Sequence, residues 1–163
     1  MKQNEILLLY DYNYWANKRL LRAAEALAPD QLTQSLPMSW DSILGTFAHI
    51  MGSEWIWRMR CQEGVSPAAI LDPGQFTTLE LLRRRWDEEE RAMRAYLNGL
   101  DDAALQRAVD FKNTQGRSFR RILWQILIHV LNHGTQHRGE IALYLTTFGH
   151  SPGDIDLNVF LSE

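Results

Sequence analysis

Apolar residues recur at helical spacing in four segments of this chain, and no strand-like alternation of comparable length competes with them. In the first segment Leu7, Tyr10, Tyr14 and Leu21 fall three, four and seven residues apart, which keeps them on one face, and the helix should end near Leu27, before Pro29. A second helix is expected after Asp41 or Ser42, either of which can act as N-cap, running to about Gly64 with Leu44, Ala48, Met51, Trp55 and Met59 as its apolar stripe. Thr77-x-x-Glu80 has the form of a capping box and opens a third, whose buried side is Leu79, Leu82, Trp86, Met93 and Leu97. Between Asp101 and Ser118 the pattern breaks down. Asn113 and Gly116 suggest a loop there, or a short hairpin flanked by Ala108–Phe111. The fourth helix is expected from about Phe119 to Phe148, with Gly149 placed to cap it and Pro152 to prevent its continuation.

These segments predict an all-α four-helix bundle, in one domain spanning residues 1–163. The 14 residues from Ala28 to Asp41 form a long first crossover over the end of the bundle, and a short C-terminal helical piece is expected over Asp154–Leu161. A chain of 163 residues buries roughly 70% of its unfolded surface, enough to fold without disulfides or a structural metal. Its six Trp side chains add to that buried area.

Charge and composition narrow the function. The formal net charge of −3 lacks the positive excess with which nucleic-acid-binding domains meet phosphates. Cys61 is the only cysteine, which precludes an internal disulfide and favours a reducing compartment. The most apolar stretch, Ile122 to Leu131, falls well short of the ~20 residues of a membrane helix, and the N-terminus does not read as a signal peptide. The expectation is a cytoplasmic protein with neither nucleic acid nor membrane as partner.

Five histidines stand at 49, 129, 133, 137 and 150. His129, His133 and His137 follow one another at four-residue steps, so each overlays the next on one face of the fourth helix. An i, i+4 pair of imidazoles can be offered to a single ion. Packed histidines are the alternative, although a buried imidazole without a partner costs roughly 1–3 kcal/mol. His49, on the second helix, has Gly45 and Gly52 beside it; these glycines imply either space kept open or a close helix contact. His150 follows the helix cap and reads as a loop residue.

The run His129-Val-Leu-Asn132-His133-Gly-Thr-Gln-His137-Arg138-Gly139-Glu140 resembles the HxxNHxxxHRGQ signature of the DinB/YfiT-like family. Tyr14-Trp15-Ala16-Asn17-Lys18-Arg19-Leu20, the segment Ile43 to Trp57 and the tail Gly153-Asp154-Ile155-Asp156-Leu157 are similar to other parts of that family, so the resemblance covers nearly the whole chain. It implies a four-helix bundle, commonly a homodimer, with a three-histidine metal site whose ligands fall on His49, His133 and His137. His129 then belongs beside the site, and Trp15 is a further candidate to line a pocket. Glu140 departs from the usual Gln and can accept an imidazole N–H or bring a carboxylate near the metal.

Three imidazoles add no negative charge, so a divalent ion held by them keeps its Lewis acidity and at least one open position. Zinc and nickel both suit such a site. The wider superfamily includes bacillithiol transferases and mycothiol-dependent maleylpyruvate isomerases, and the resemblance therefore implies an enzyme acting on a small-molecule substrate with a low-molecular-weight thiol as cosubstrate. A metal-dependent hydrolase and a non-catalytic metal-binding stress-response protein are the other expectations. Cys61 reads as an inert packed residue, and Arg83-Arg84-Arg85 and Arg120-Arg121 as solvated charge.

Overall fold

The computed structural model describes all 163 residues. Four long helices form the bundle: α1 (Gln3–Ala24), α3 (Ile43–Arg58), α4 (Leu79–Asn98) and α6 (Leu123–Thr147). Short helices α2 (Pro29–Thr33), α5 (Asp102–Leu105) and α7 (Leu157–Phe160) lie between or after them. A small hairpin of β1 (Ala108–Lys112) and β2 (Ser118–Ile122) precedes α6. Helix α6 packs against both α1 and α3, and α4 closes the opposite side against the same two helices. None of the helices is long and apolar enough to cross a membrane.

Local chemistry explains the helix ends. Ser42 is the N-cap of α3 and its hydroxyl accepts from the Gly45 N–H at 3.0 Å, while Asp41 takes a left-handed φ of 62°. At the other end α3 loosens into a π-helical turn over Met59–Glu63, closed by Gly64 at φ 67°. Thr78 rather than Thr77 caps α4, accepting from the Leu81 N–H. Helix α6 ends in a paired-bond cap: the Gly149 N–H reaches the Thr146 carbonyl and the His150 N–H reaches Leu145. Gly149 holds the positive φ of 83° that this cap requires.

The structure corrects three boundaries. Residues 118–122 are a strand, so the fourth long helix begins at Leu123 and not at Phe119. Asn113 turns the chain, its side chain accepting from the N–H groups of Gln115 and Arg117, and Ser118–Ile122 then pairs antiparallel with Ala108–Lys112. The first helix stops at Ala24, and the C-terminal helix covers only Leu157–Phe160. The crossover also holds α2, which starts on Pro29.

The interior has two apolar halves. One gathers Leu20, Ile43, Phe47, Met51, Trp86 and Ile141; the other gathers Ile6, Tyr10, Met93, Leu105, Leu123 and Ile126. Among the helices lies a set of buried polar side chains, Asn13, Asn17, Glu54 and Arg138. His49 and His137 are buried close by in the chain, on the same two helices as Glu54 and Arg138.

Candidate metal centre

Helix α3 supplies His49; α6 supplies His133 and His137 from successive turns of one face. The three imidazoles form a near-equilateral triangle with ring centroids 4.6–4.8 Å apart. One nitrogen from each lies within 4.8 Å of the other two. His49 Nε2 and His133 Nε2 are 3.0 Å apart.

Burial keeps two members of this cluster neutral. Burial first, and the neighbouring imidazoles second, push His49 down to about 3 and His133 down to about 4 from an ordinary 6.5. At neutral pH these two rings therefore offer lone pairs rather than charge. His49 Nε2 and His133 Nε2 face each other and have no partner outside the cluster, while their Nδ1 atoms are buried without a partner on the other side of each ring. His137 differs: its Nδ1 meets Glu140 Oε2 at 3.0 Å, which leaves Nε2 free for a ligand. The donor set fits a divalent ion of borderline softness.

Two residues outside the sequence reading complete the surroundings. The Trp40 indole stacks on the His49 ring, with centroids 4.0 Å apart and planes 17° from parallel. Ser39 Oγ donates to Glu140 Oε1 at 2.5 Å. Burial alone would raise the Glu140 carboxyl, but the bonds from Ser39 and His137 outweigh it and hold it below its ordinary value. Both residues sit in the crossover just before α3, where no periodicity marks a side chain as facing the core; only their proximity in sequence to the Ser42 cap hinted at them.

The remaining expected residues separate. His129 lies one turn before His133, ring centroids 5.9 Å apart, with its edge against Trp57. Trp15 is elsewhere: it packs on Tyr12 and Phe160 and donates its indole N–H to Glu163 at 2.7 Å. It fastens the C-terminal segment to α1, because its position on the helix faces that tail. Gly45 and Gly52 do not hold space open. A Cβ at Gly45 would stand 2.5 Å from the Trp40 carbonyl oxygen, and one at Gly52 would stand 3.0 Å from Ile70 Cγ1. Close packing uses both glycines. Cys61 is buried and its thiol is pushed up to about 12, as expected of a packed residue.

The sequence pattern of the DinB family matches residues 1–163. The chain belongs to the DinB family. Among its relatives is a Bacillus subtilis protein named Protein DinB, 24% identical over 158 residues, covering 94% of this chain and 91% of that one. The fold is similar to the crystal structure of a DinB-like protein from Bacillus cereus, with a TM-score of 0.69 at 17% identity, covering 94% of this chain and 97% of that one.

Proposed function

We propose that this DinB family protein binds one divalent ion, zinc or nickel, through His49, His133 and His137 and acts with a low-molecular-weight thiol as an S-transferase or isomerase. The observation that carries the reading is three converging imidazoles, at least two of them held neutral by burial, with no free carboxylate among them. Neutral donors leave the charge of an ion undiminished, and three protein ligands leave a coordination position for a substrate. When bound, such an ion supplies Lewis acidity that lowers the pKa of a small thiol.

The chain's own residues set the geometry. Glu140 orients the His137 ring and fixes its tautomer, and Ser39 fixes Glu140. Trp40 covers one face of His49 and shields it from water. His133 is half-buried, so the opening of the cluster lies on its side. Glu140 is the carboxylate bonded to the cluster, and both its oxygens are engaged. A mechanism in which the nucleophile is activated without a separate carboxylate base therefore suits these residues best. The resemblance also supports a homodimer, which light scattering would report as twice the 18.9 kDa chain mass.

Cobalt substitution tests the proposal. Binding of a thiol at the ion should add an intense near-ultraviolet charge-transfer band. If a panel of bacterial thiols leaves the spectrum unchanged while carboxylates alter it, metal-dependent hydrolysis replaces the thiol reading. A spectrum that no ligand alters would favour a non-catalytic metal-binding stress-response protein.

A further inference from the structure

Beside the histidine cluster lies a hollow of about 420 Å³ lined by Trp57, Phe111, Arg121, Gln125, Ile126 and His129. Its size falls within the range of small-molecule sites. Trp57 and Phe111 meet edge to face, ring centroids 4.9 Å apart, and with Ile126 give it apolar walls.

Its polar groups are donors. Arg121 is in no ion pair; its guanidinium donates only to the backbone carbonyl of Arg120. Asp110, on the paired strand, is already engaged by Arg120 at 3.3 Å. Gln125 accepts from the Ile122 N–H through Oε1, which leaves its amide NH2 available. No carboxylate lines the hollow. Arg60 is only 6% exposed, faces no carboxylate, and its Nε is buried without a partner. Its guanidinium does not line the hollow but packs over two of its walls, 4.6 Å from the Trp57 centroid and 5.5 Å from that of Phe111, and so adds positive charge next to it. A buried cation without a counter-charge is costly, and an anion nearby offsets that cost.

We propose that this hollow is a binding subsite for a small organic acid, with its carboxylate toward Arg121 and Gln125 and its apolar body between Trp57, Phe111 and Ile126. An inorganic anion would leave those apolar walls in contact with water, whereas a carboxylate on a flat or aliphatic body satisfies walls and donors together. His129 joins the subsite to the cluster, since its ring lies 5.9 Å from that of His133. A substrate seated here can therefore extend to the metal centre. That extension rests on the metal reading given above; the subsite itself does not.

The test uses the metal-free protein and isothermal titration with 3-phenylpropanoate and its uncharged amide, 3-phenylpropanamide. The acid should bind about tenfold more tightly than the amide, the difference expected of a charge-assisted hydrogen bond. Arg121→Gln should remove that preference. Arg60→Gln, confirmed as folded by circular dichroism, should weaken the acid more than the amide. Equal binding of the two probes, no heat from either, or an Arg121→Gln protein that keeps the preference would overturn the subsite. Metal titration of the same samples separates the two ideas. Metal binding with no acid preference sinks the subsite alone, and acid preference without metal binding sinks the metal centre alone.

Discussion

Two polar regions are built from neighbouring positions on the same two helices, and they have opposite character. Glu54 and Arg138 form one; His49, His133 and His137 form the other. In the first, Glu54 Oε1 accepts from Asn13 at 2.8 Å and Asn17 at 3.4 Å, and Oε2 accepts from Trp86 at 2.9 Å. Arg138 donates to Asn13 at 2.5 Å, to Asn17 at 3.1 Å and to Thr135 at 2.7 Å. Only Arg138 Nε lacks a partner there. The Glu54 region thus ties α3, α1, α4 and α6 together through bonds among its own members. By contrast, the cluster has two buried nitrogens without partners and one contact between like rings. A satisfied network holds the bundle together; in the cluster, His49 Nε2 and His133 Nε2 have only each other at 3.0 Å, and that is where an ion would be held.

The largest expected effect distinguishes the two regions directly. His133→Ala should abolish stoichiometric metal binding by isothermal titration, while His150→Ala should leave it intact. Glu54→Ala should do the reverse for stability: it leaves the buried donors of Asn13, Asn17 and Trp86 without their acceptor. Each buried donor left unsatisfied costs about 1–3 kcal/mol, and a loss of at least that size is expected in urea unfolding. A Glu54→Ala protein as stable as the parent would refute the contrast.

A smaller effect should come from Glu140, which touches the cluster without belonging to it. Glu140→Ala removes the acceptor that orients His137, and metal affinity should fall about 10- to 100-fold. Glu140→Gln keeps an acceptor and loses the charge, so its loss should be the lesser. Equal affinities across all three proteins would mean that the His137 ring is held by packing alone.

The two regions should also answer pH in opposite directions. As pH falls through 6.5, the unfolded chain takes up protons at His49 and His133, while the metal-free folded chain resists until about 3 and about 4 respectively. Their contribution to stability is therefore full above 6.5 and lost toward acid. Glu54 works the other way. Burial raises it to about 7 against the bonds from Trp86 and Asn13, so its contribution is full below 4.5 and lost as pH rises through 7. Glu54→Gln should flatten the neutral limb of the stability profile and leave the acid limb. A profile unchanged by that substitution would show that Glu54 is ionised in the folded protein at all these values.

Much of this architecture was legible in the chain because periodicity is a property of long segments. Leu44, Ala48 and Met51 announced α3, and the four-residue steps of the histidines put His133 and His137 on one face of α6. Ser118–Ile122 was misread because it runs into α6 without glycine or proline, and Ile122 caps that helix with no side-chain bond. Five residues of α2 are too few to show a period. Trp40 and Ser39 approach the site from a crossover, where contact depends on how the chain closes rather than on spacing. His49 was found through the family resemblance and its glycines, yet the glycines turned out to seat Trp40 and Ile70.

The smallest expected effect is on the fold itself. Exhaustive chelation should leave the helical circular dichroism signal nearly unchanged, because the ligands join only α3 and α6, which already pack along their length. Apolar clusters of 16 and 13 buried residues hold the bundle without contribution from the histidines. Melting temperature should still rise with added metal, by the amount that binding to the folded state alone dictates, and above the dissociation constant the rise should continue with the logarithm of concentration. His133→Ala should lose that metal-dependent rise and keep the metal-free melting temperature close to that of the parent. Collapse of the helical signal on chelation would place the ion among the structural elements and make the cluster, like Glu54 and Arg138, part of what holds the helices together. An open coordination position would then have no part in its purpose.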